Sequence, residues 1–334
     1  MHNKNRFYLK MDLNIHYEGF VTGAAGFIGS NFIRRSTYLK SKEHQFISVD
    51  KLLYPHSKSN FYISHGKSDN FYIADIADSI TINNILEIEK PDAILHFAAE
   101  SHVDHSIQTA FPFIHSNVLG TQTLIDAAVK HKIKMFFYIS TDEVYGQLKS
   151  ESDPSWDENA NLNPRNPYSA SKLSGEFLVK AAHETHGLQY VITRCSNNFG
   201  PRQSLRNLIP KIIKNISENK EVPIYGQGLQ MREWIFVEDH CDAIWKIIES
   251  NKYNEIYNIS TGNEITNLEL FNHIANMMGK GHNLLKFVED RPGHDFRYSC
   301  NSNKLRGIGW KPSSKFTKSL ESTISWYDNN RWFF

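Results

Sequence analysis

The chain has 334 residues, 40% of them hydrophobic, and a formal net charge of +1. This length and apolar content predict one large domain with a smaller lobe. The near-neutral charge, without a long run of Lys or Arg, argues against nucleic acid or an anionic membrane as a partner. Cys195, Cys241 and Cys300 are far apart and form no CxxC pair, which favours reduced thiols over disulfides or a metal site.

Residues 1–16 are polar and lack the apolar core of a secretory signal, so we expect a loosely attached N-terminal extension. No apolar run approaches the ~20 residues that a membrane helix needs. Together with the reduced cysteines, this predicts a cytoplasmic protein.

Short apolar runs alternate with amphipathic segments over residues 17–200. The runs are "GFVTG", "QFISVD", "NFYIAD", "DAILHFAA", "KMFFYIST" and "YVITRCS", and the amphipathic segments include "NVLGTQTLIDAAVKH" and "YSASKLSGEFLVKAAHETHG". This alternation predicts an α/β fold, a Rossmann-type doubly wound parallel sheet.

The pattern becomes less regular after Pro201. A helix is predicted at "LIPKIIKNISEN", short strands at "VPIYG" and "EIYNIS", and another helix at "TNLELFNHIANMMG". We therefore expect a smaller mixed α/β lobe over residues 201–334 that binds the substrate, although strands and helices of the two lobes are free to interleave.

A glycine-rich turn follows the first predicted strand. "TGAAGFIGSNFIRR" places Gly23, Gly26 and Gly29 between a strand and a helix, where backbone N–H groups approach a pyrophosphate. Asp50 ends the next strand about twenty residues on, the position of an acid that binds an adenosine ribose. A carboxylate there repels a 2′-phosphate, so the pattern predicts NAD rather than NADP as the cofactor.

Tyr168 and Lys172 lie four residues apart in a predicted helix and therefore share one face. A nearby ammonium favours the phenolate, so we expect the pKa of Tyr168 to be lowered towards neutrality. A phenolate beside a nicotinamide is suited to take the proton of a sugar hydroxyl while hydride leaves the same carbon.

These residues resemble the extended short-chain dehydrogenase/reductases that act on nucleotide sugars. The segments "HFAAESHVDHSI", "ISTDEVYG", "NPYSASK", "SNNFGP", "MREWIFVEDH" and "DRPGHDFRY" are similar to those of the nucleoside-diphosphate-glucose 4,6-dehydratases of deoxysugar (rhamnose) biosynthesis. The resemblance covers the chain from about residue 17 to its C-terminus.

The resemblance implies a reaction and a role for each catalytic residue. Oxidation at sugar C4 makes a ketone that acidifies the C5 hydrogen; Glu143 removes that proton and Asp142 protonates the departing C6 hydroxyl. Hydride then returns to C6, so the net reaction is loss of water. Thr141 hydrogen-bonds the C4 hydroxyl. Asp142 and Glu143 both face one site only if the strand ends near Thr141, because alternate strand residues point to opposite faces.

Further site residues are implied by the resemblance. The cofactor-binding set is Gly23, Gly26, Phe27, Ile28, Gly29, Asp50, Asp75, Ile76, Ala98, Tyr168 and Lys172. The substrate-binding set is Ser101, Asn197, Arg232, Asn263, Arg297 and His294, with Asn197 and Arg232 on the diphosphate and Asn263 and Arg297 near the nucleotide. For His294, a loop-capping role is an equal alternative. No metal is expected.

Three positions depart from the family pattern. Asn207, with Arg206 beside it, stands where the family usually has a lysine before "LIP"; Ala24 replaces a glycine, and His105 replaces an arginine. The phosphate contact expected of that lysine is therefore in question, and Arg206 is the candidate to replace its charge.

The favoured function is dehydration of dTDP-glucose or UDP-glucose, and the sequence leaves the nucleotide open. The alternatives are a 4-epimerase or decarboxylase of the same family, or a non-catalytic NAD-binding regulator. The acid pair after Thr141 argues against the first alternative, and the presence of Thr141, Tyr168 and Lys172 argues against the second. Apolar stripes in 108–131 and 167–187 predict a homodimer through a four-helix contact.

Overall fold

The computed structural model describes residues 17–40, 44–65, 70–291 and 293–334. The N-terminal extension predicted over residues 1–16 lies outside this part of the chain. Within these ranges, no helix is both long enough and apolar enough to cross a membrane. The same ranges contain no cluster of His, Cys, Asp and Glu that would hold a metal ion. Cys195, Cys241 and Cys300 are all buried free thiols.

The described residues form strands along most of the chain. The strands are β1 (Tyr17–Thr22), β2 (His44–Asp50), β3 (Phe71–Ile73), β4 (Ala93–His96), β5 (Met135–Thr141), β6 (Tyr190–Cys195), β7 (Asn197–Phe199), β8 (Val222–Tyr225), β9 (Met231–Phe236), β10 (Glu255–Ile259), β11 (Glu264–Thr266) and β12 (Leu285–Val288).

Helices connect most of these strands. The α-helices are α1 (Phe27–Lys40), α2 (Pro55–His65), α3 (Ser79–Glu89), α4 (Val103–Gln108), α5 (Phe111–Phe113), α6 (Thr121–Lys130), α7 (Pro167–His186), α8 (Leu208–Ser217), α9 (Val237–Glu249), α10 (Asn267–Met278), α11 (Asn303–Gly307) and α12 (Phe316–Asn329). A π-helix (Ile114–Gly120) joins α5 to α6, and 3-10 turns occur at Asp142–Tyr145, His282–Leu284 and Arg331–Phe333.

The main sheet has seven parallel strands in the order β10-β6-β5-β4-β1-β2-β3. The strand order reverses between β1 and β4, which opens a crevice at their carboxyl ends where ligands of such sheets bind. The predicted Rossmann-type doubly wound sheet is confirmed.

Both faces of this sheet are covered, which explains the nearly continuous apolar sequence of its strands. In β5, Phe137 and Ile139 belong to a core shared with α1 and α9, whereas Phe136 and Tyr138 belong to a core shared with α3, α6 and α7. This alternation follows from the two-residue period of a strand.

The smaller lobe has its own sheets and core. Strands β11, β9 and β7 form a three-stranded sheet, and β12 pairs with β8. A third apolar cluster, which includes residues of α8, α10 and α12, fills this lobe. The strand at "EIYNIS", predicted here, instead lies in the main sheet as β10, parallel to β6. The strands of the two lobes thus interleave here; a short apolar run does not decide this, because sheet membership depends on long-range pairing.

Candidate active site

The turn between β1 and α1 is built by glycines that approach one another closely. Gly23 has φ +65°, and a Cβ on Gly29 would lie 2.3 Å from the Gly23 carbonyl oxygen. The Gly26 N–H donates to the same carbonyl at 2.9 Å. A side chain at Gly29 would therefore collide with backbone, and the tight turn brings the N-terminus of α1, with Phe27 and Ile28, to the crevice.

Asp50 supports this turn from the end of β2. Its Oδ2 accepts from the Ala25 N–H at 3.1 Å, and its Oδ1 accepts from the Leu52 N–H at 2.8 Å. Burial raises the pKa of Asp50, although these backbone hydrogen bonds oppose the shift. Each carboxylate oxygen has a further lone pair, so Asp50 is able to accept from ribose hydroxyls while it holds the turn. These donors and acceptors fit a dinucleotide.

The other predicted cofactor residues lie along the same edge of the sheet. Ala98 lies against the glycine turn, since a Cβ on Gly23 would be 2.6 Å from its nitrogen. Asp75 accepts from Lys51 Nζ at 2.6 Å and from the Ala77 N–H at 3.0 Å. Ile76 is buried beside Gly120 of the π-helix. The predicted cofactor residues that follow β1, β2, β3 and β4 therefore lie around the crevice at the carboxyl ends of these strands.

The two acidic residues occupy a single turn at the end of β5. The strand ends at Thr141, as predicted, and Asp142 and Glu143 begin a 3-10 turn. Thr141 caps this turn, because its Oγ1 accepts from the Glu143 N–H at 3.3 Å. Ending the strand here removes the alternation that would have sent the two carboxylates to opposite faces.

Asp142 and Glu143 differ in their surroundings. Burial raises the pKa of Asp142 well above its ordinary value, and repulsion from Glu143 and Glu233 adds to the shift. Its Oδ2 is buried without a hydrogen-bond partner. Burial also raises the pKa of Glu143, but a hydrogen bond from Asn166 and the charges of Arg291 and Arg232 oppose the shift. The pKa is therefore raised further at Asp142 than at Glu143, so Asp142 is the better candidate for the neutral acid and Glu143 ionises more readily.

Asn166 connects the acidic turn to helix α7. Its Oδ1 accepts from the Ser169 N–H at 2.8 Å and caps the helix, while its Nδ2 donates to Glu143 Oε2 at 3.0 Å. Pro167 occupies the first turn of α7, where its missing N–H costs no helical hydrogen bond. The sequence carried a signal for this residue, since Asn before Pro at a predicted helix start is a typical cap, but its bond to Glu143 was missed.

Tyr168 and Lys172 lie on one face of α7, where Lys172 is buried and Tyr168 is half-buried. Lys172 Nζ lies 4.3 Å from the centre of the Tyr138 ring, and burial lowers the pKa of Lys172 to about 8. Burial raises the pKa of Tyr168 well above its ordinary value, and the nearby Glu143 charge adds to the shift. The expected lowering by Lys172 is therefore wrong for the protein alone, because desolvation of the phenolate outweighs any help from the ammonium.

The two predicted diphosphate residues, Asn197 and Arg232, lie on strands of the three-stranded sheet. Asn197 begins β7, and its side-chain oxygen is buried without a hydrogen-bond partner. Arg232 lies in β9, where it donates to the carbonyl oxygens of Met231 at 2.7 Å and Asp295 at 3.0 Å. Its guanidinium also lies 4.4 Å from the centre of the Tyr298 ring. These contacts fix the Arg232 charge close enough to lower the pKa values of Asp142 and Glu143.

Arg297 has a different environment from the one predicted. Its guanidinium pairs with Glu264, with Nη2 3.0 Å from Oε1, and Nη1 donates to the carbonyl oxygens of Ser150 at 3.2 Å and Asp153 at 2.7 Å. These contacts satisfy its donors within the protein. The structure thus shows Arg297 joining β11 to the loop after the acidic turn, and its contact near the nucleotide stays a prediction.

The remaining predicted substrate residues are less engaged with the acidic turn. Ser101 and Asn263 are exposed, and Asn263 donates to Thr261 Oγ1 at 3.0 Å. His294 donates from Nδ1 to Asp290 at 2.6 Å, which fits its alternative role in holding a loop. Burial lowers the pKa of His294 to about 4.

A cleft of about 310 Å³ opens beside the acidic turn. It is lined by Val103, Ile107, Arg165, Asn166, Pro167, Arg291 and Gly293. Arg291 was missed as a site residue, although it belongs to the motif "DRPGHDFRY". Its Nη1 pairs with Asp104 at 2.8 Å, and its charge lowers the pKa of Glu143. The cleft therefore joins α4, the start of α7 and the loop after β12 around the acidic turn.

The departures from the family pattern lie around this site. Asn207 is exposed at the start of α8 and makes no side-chain capping bond. The Arg206 guanidinium lies 5.2 Å from the centre of the Tyr54 ring. Ala24 is buried in the glycine turn, and the His105 ring packs 5.8 Å from that of Phe113. All three positions are accommodated without loss of a predicted catalytic residue.

Known proteins are similar in sequence to this chain over most of its length. The profile of the family described as GDP-mannose 4,6 dehydratase matches residues 20–323. The dTDP-glucose 4,6-dehydratase of Streptomyces niveus is 42% identical and aligns over 93% of each chain. That of Escherichia coli is 38% identical, again over 93% of each chain.

Solved structures share its fold. The dTDP-glucose 4,6-dehydratase DesIV from Streptomyces venezuelae, with NAD and TYD bound, has a TM-score of 0.89 at 39% identity and covers 95% of this chain and 98% of its own. The UDP-glucose 4-epimerase of Thermotoga maritima, with UDP-glucose, has a TM-score of 0.83 at 25% identity and covers 94% of this chain and 99% of its own. The epimerase shares the fold, so fold alone does not separate the two activities. The profile and the full-length relatives confirm the resemblance of the motifs: the chain belongs to the GDP-mannose 4,6 dehydratase family.

Proposed function

We propose that the protein is an NAD-dependent hydro-lyase that converts a nucleoside-diphosphate-glucose to the 4-keto-6-deoxy sugar nucleotide. The observation that carries this function is the pair of carboxyl groups at the end of β5. Asp142 has the environment of a neutral acid and Glu143 that of a base. Elimination of water across C5 and C6 requires one group of each kind.

The residues of α7 and β5 serve oxidation at C4. When bound, NAD would supply the hydride acceptor for C4 and the hydride donor for C6, and with a proton returned to C5 no net oxidation would occur. Gly23, Gly26, Gly29 and Asp50 would hold it at the crevice. Tyr168 takes the proton of the C4 hydroxyl, and Thr141 accepts or donates a hydrogen bond at the same oxygen. Lys172, whose pKa is about 8, remains largely cationic at neutral pH, so its charge would offset part of the desolvation that disfavours the phenolate of Tyr168.

The acidic turn then serves the elimination. Glu143 removes the C5 hydrogen that the C4 ketone has acidified, and Asn166 holds its carboxylate in place. Asp142 donates its proton to the C6 hydroxyl, which leaves as water. Its unpartnered Oδ2 is consistent with an acid whose partner is the substrate.

Residues of the smaller lobe, 201–334, and of the adjoining strand β7 would bind the nucleotide and diphosphate. Asn197, Arg232 and Arg291 are the candidates, since Asn197 has an unpartnered oxygen and both guanidinium charges lie close to Glu143. Ser101, Asn263 and His294 would lie at the margins of the site. The relatives are named dTDP-glucose 4,6-dehydratases, which makes dTDP-glucose the first substrate to test and UDP-glucose its matched comparison.

The experiment that tests this function is the product mass after incubation with each nucleotide-glucose. A product lighter by one water supports the dehydratase. An unchanged mass with inverted C4 would support the epimerase alternative, and loss of carbon dioxide from a nucleotide-glucuronic acid would support the decarboxylase. Tyr168→Phe is the matched inactive control, because it keeps the ring and removes only the hydroxyl. Absence of any turnover with NAD bound would favour the regulator.

We further propose a cytoplasmic homodimer. The helical segment from Phe111 to Lys130 and helix α7 pack together, and both expose large apolar side chains, among them Phe111, Ile114, Leu119 and Phe177. Two such helix pairs related by a two-fold axis would cover these side chains in a four-helix contact. The three free thiols are consistent with a reducing compartment.

A further inference from the structure

We propose that Asp295 is a positioning residue for the dehydration step, acting through Arg165 and Asn166 on the base Glu143. The proposal rests on the function proposed above and extends it to a residue of the smaller lobe that does not itself reach the acidic turn through a hydrogen bond. Asp295 is 3% exposed and lies in the loop between β12 and α11.

Asp295 holds two elements with its side chain. Its Oδ1 forms an ion pair with Arg165 Nε at 2.6 Å, and its Oδ2 accepts a hydrogen bond from the Tyr298 hydroxyl. A buried carboxylate needs such partners to offset its loss of hydration. The residue therefore joins its own loop to the segment just before helix α7.

Arg165 links Asp295 to the residue that bonds the base Glu143. It immediately precedes Asn166, whose Nδ2 donates to Glu143 Oε2 at 3.0 Å. The Arg165 side chain is 36% exposed, so without Asp295 it is free to turn into solvent. Asn166 would then keep its capping bonds to Ser169 but lose the support of the residue before it, which would loosen its hold on the Glu143 carboxylate.

The same residue also holds the charge opposite the base. The Asp295 carbonyl accepts from Arg232 Nη2 at 3.0 Å, and Tyr298, which donates to the Asp295 carboxylate, packs its ring 4.4 Å from the Arg232 guanidinium. Asp295 thus connects two of the three groups that lower the pKa of Glu143: the amide of Asn166 and the guanidinium of Arg232. Neither contact touches the groups that serve C4 oxidation, Tyr168 and Lys172.

The charge of Asp295 adds a second signature. The titratable and charged groups that face Glu143 are Asp142, Tyr168, Arg232, Arg291, Asp295 and Tyr298. Among them, Asp295 raises the pKa of Glu143. Loss of the Asp295 charge would lower the pKa of Glu143, whereas a weaker Asn166 hydrogen bond would raise it, so the two effects oppose each other in Asp295→Asn. Arg165→Gln removes a cation and leaves the Asp295 charge uncompensated, so in this variant both changes raise the pKa of Glu143. The acidic limb of the pH profile of C5 exchange should therefore move to higher pH in Arg165→Gln.

The test separates the two steps of the reaction in single turnovers. The variants are Asp295→Asn, Arg165→Gln and the charge-preserving Arg165→Lys, with Asp328→Asn as the control, because Asp328 is an exposed partner of Arg331. C4 oxidation is measured as 4-keto-glucose nucleotide in quenched samples, and base action as deuterium entering C5 from heavy water. Retained C4 oxidation also shows that each variant is folded.

We expect Asp295→Asn and Arg165→Gln to slow C5 exchange by about 10- to 100-fold, because a small misplacement of a catalytic group has effects of this size. C4 oxidation should stay within about threefold of the unmodified protein, and the acidic limb of the pH profile of C5 exchange should move to higher pH by more in Arg165→Gln than in Asp295→Asn. The double variant, Asp295→Asn with Arg165→Gln, should exchange the C5 hydrogen no more slowly than the slower of the two single variants. Arg165→Lys should recover part of the exchange rate.

Equal loss of oxidation and exchange would overturn the proposal, because it would indicate a general structural role. Unchanged exchange in both variants, or additive effects in the double variant, would also overturn it. If the unmodified protein formed no 4-keto nucleotide from either nucleotide-glucose, the proposed function itself would fail, and the positioning role with it.

Discussion

At the scale of single residues, burial governs the ionisable groups of this protein. Asp142, Glu143, Tyr168 and Lys172 all have pKa values shifted towards the neutral form by desolvation. What distinguishes Glu143 from Asp142 is the hydrogen bond from the neutral amide of Asn166 and the charge of Arg291. A difference of this kind between adjacent carboxyl groups is what assigns acid and base in other active sites.

His240 offers a test of the same desolvation away from the site. It is buried in α9, donates from Nδ1 to Asn198 at 2.8 Å, and burial lowers its pKa to about 3. The unfolded chain binds a proton to this histidine below about pH 6.5, whereas the folded protein does not, so His240 lowers stability as pH falls from about 6.5 towards 3.

The free energy of unfolding should fall when the pH is lowered from about 7 to about 5. We expect this fall to be smaller in His240→Gln than in the unmodified protein, by about 2 kcal/mol. Urea unfolding at the two pH values measures this. His186→Gln, at an exposed position on α7, is the control and should leave the pH dependence unchanged. Equal pH dependence in the unmodified protein and His240→Gln would contradict the expectation.

At the scale of elements, the residue that begins α7 both caps the helix and orients the base. Comparing its variant with a variant of another helix cap separates these two functions. Asn166 caps α7 and also orients Glu143, whereas Thr266 caps α10 through the Glu269 N–H at 3.1 Å and lies away from the acidic turn. Both residues belong to capping boxes. Each cap should stabilise the fold by a similar amount.

Asn166→Ala and Thr266→Ala should therefore each lower the free energy of unfolding by about 1 kcal/mol. Only Asn166→Ala should also slow deuterium entry at C5, by about tenfold or more, because it alone removes a hydrogen bond to the base. Chemical unfolding and single-turnover exchange measure the two effects. If Thr266→Ala slowed exchange as much, the effect would belong to stability and not to the position of Glu143.

At the scale of the whole molecule, the exposed apolar side chains of α7 and its neighbours require a covering surface. Phe177 is 52% exposed on α7, and Leu119 is 50% exposed on the π-helix. Ile88, which is 71% exposed on α3, lies outside the proposed contact and provides a matched control. If Phe177 is buried in a dimer, a charged residue at this position would weaken the association of the two subunits. If Phe177 lies on a free surface, the same change would not affect association.

We expect the unmodified protein and Ile88→Asp to sediment as dimers at about micromolar concentration, and Phe177→Asp to sediment as a monomer. Analytical ultracentrifugation makes the measurement. A monomeric unmodified protein, or an undisturbed Phe177→Asp dimer, would argue against the four-helix contact.

The features that the sequence predicted are those with local causes. The glycine turn, the end of β5 at Thr141 and the shared face of Tyr168 and Lys172 follow from spacing of a few residues. The features it missed depend on contacts between distant positions: β10 pairs with β6, Arg297 pairs with Glu264, and Asn166 reaches Glu143. The raised pKa of Tyr168 likewise follows from burial, which the interval between two residues does not reveal.

The division of labour between Asp142 and Glu143 is the central claim, and deuterium incorporation at C5 in heavy water tests it most directly. Glu143→Gln should still oxidise C4, since Tyr168 and Lys172 remain, but should lose C5 exchange by about 10²- to 10⁴-fold. Asp142→Asn should retain more of the C5 exchange while forming the dehydrated product far more slowly. Wild-type exchange in Glu143→Gln, or normal product formation by Asp142→Asn, would contradict the account.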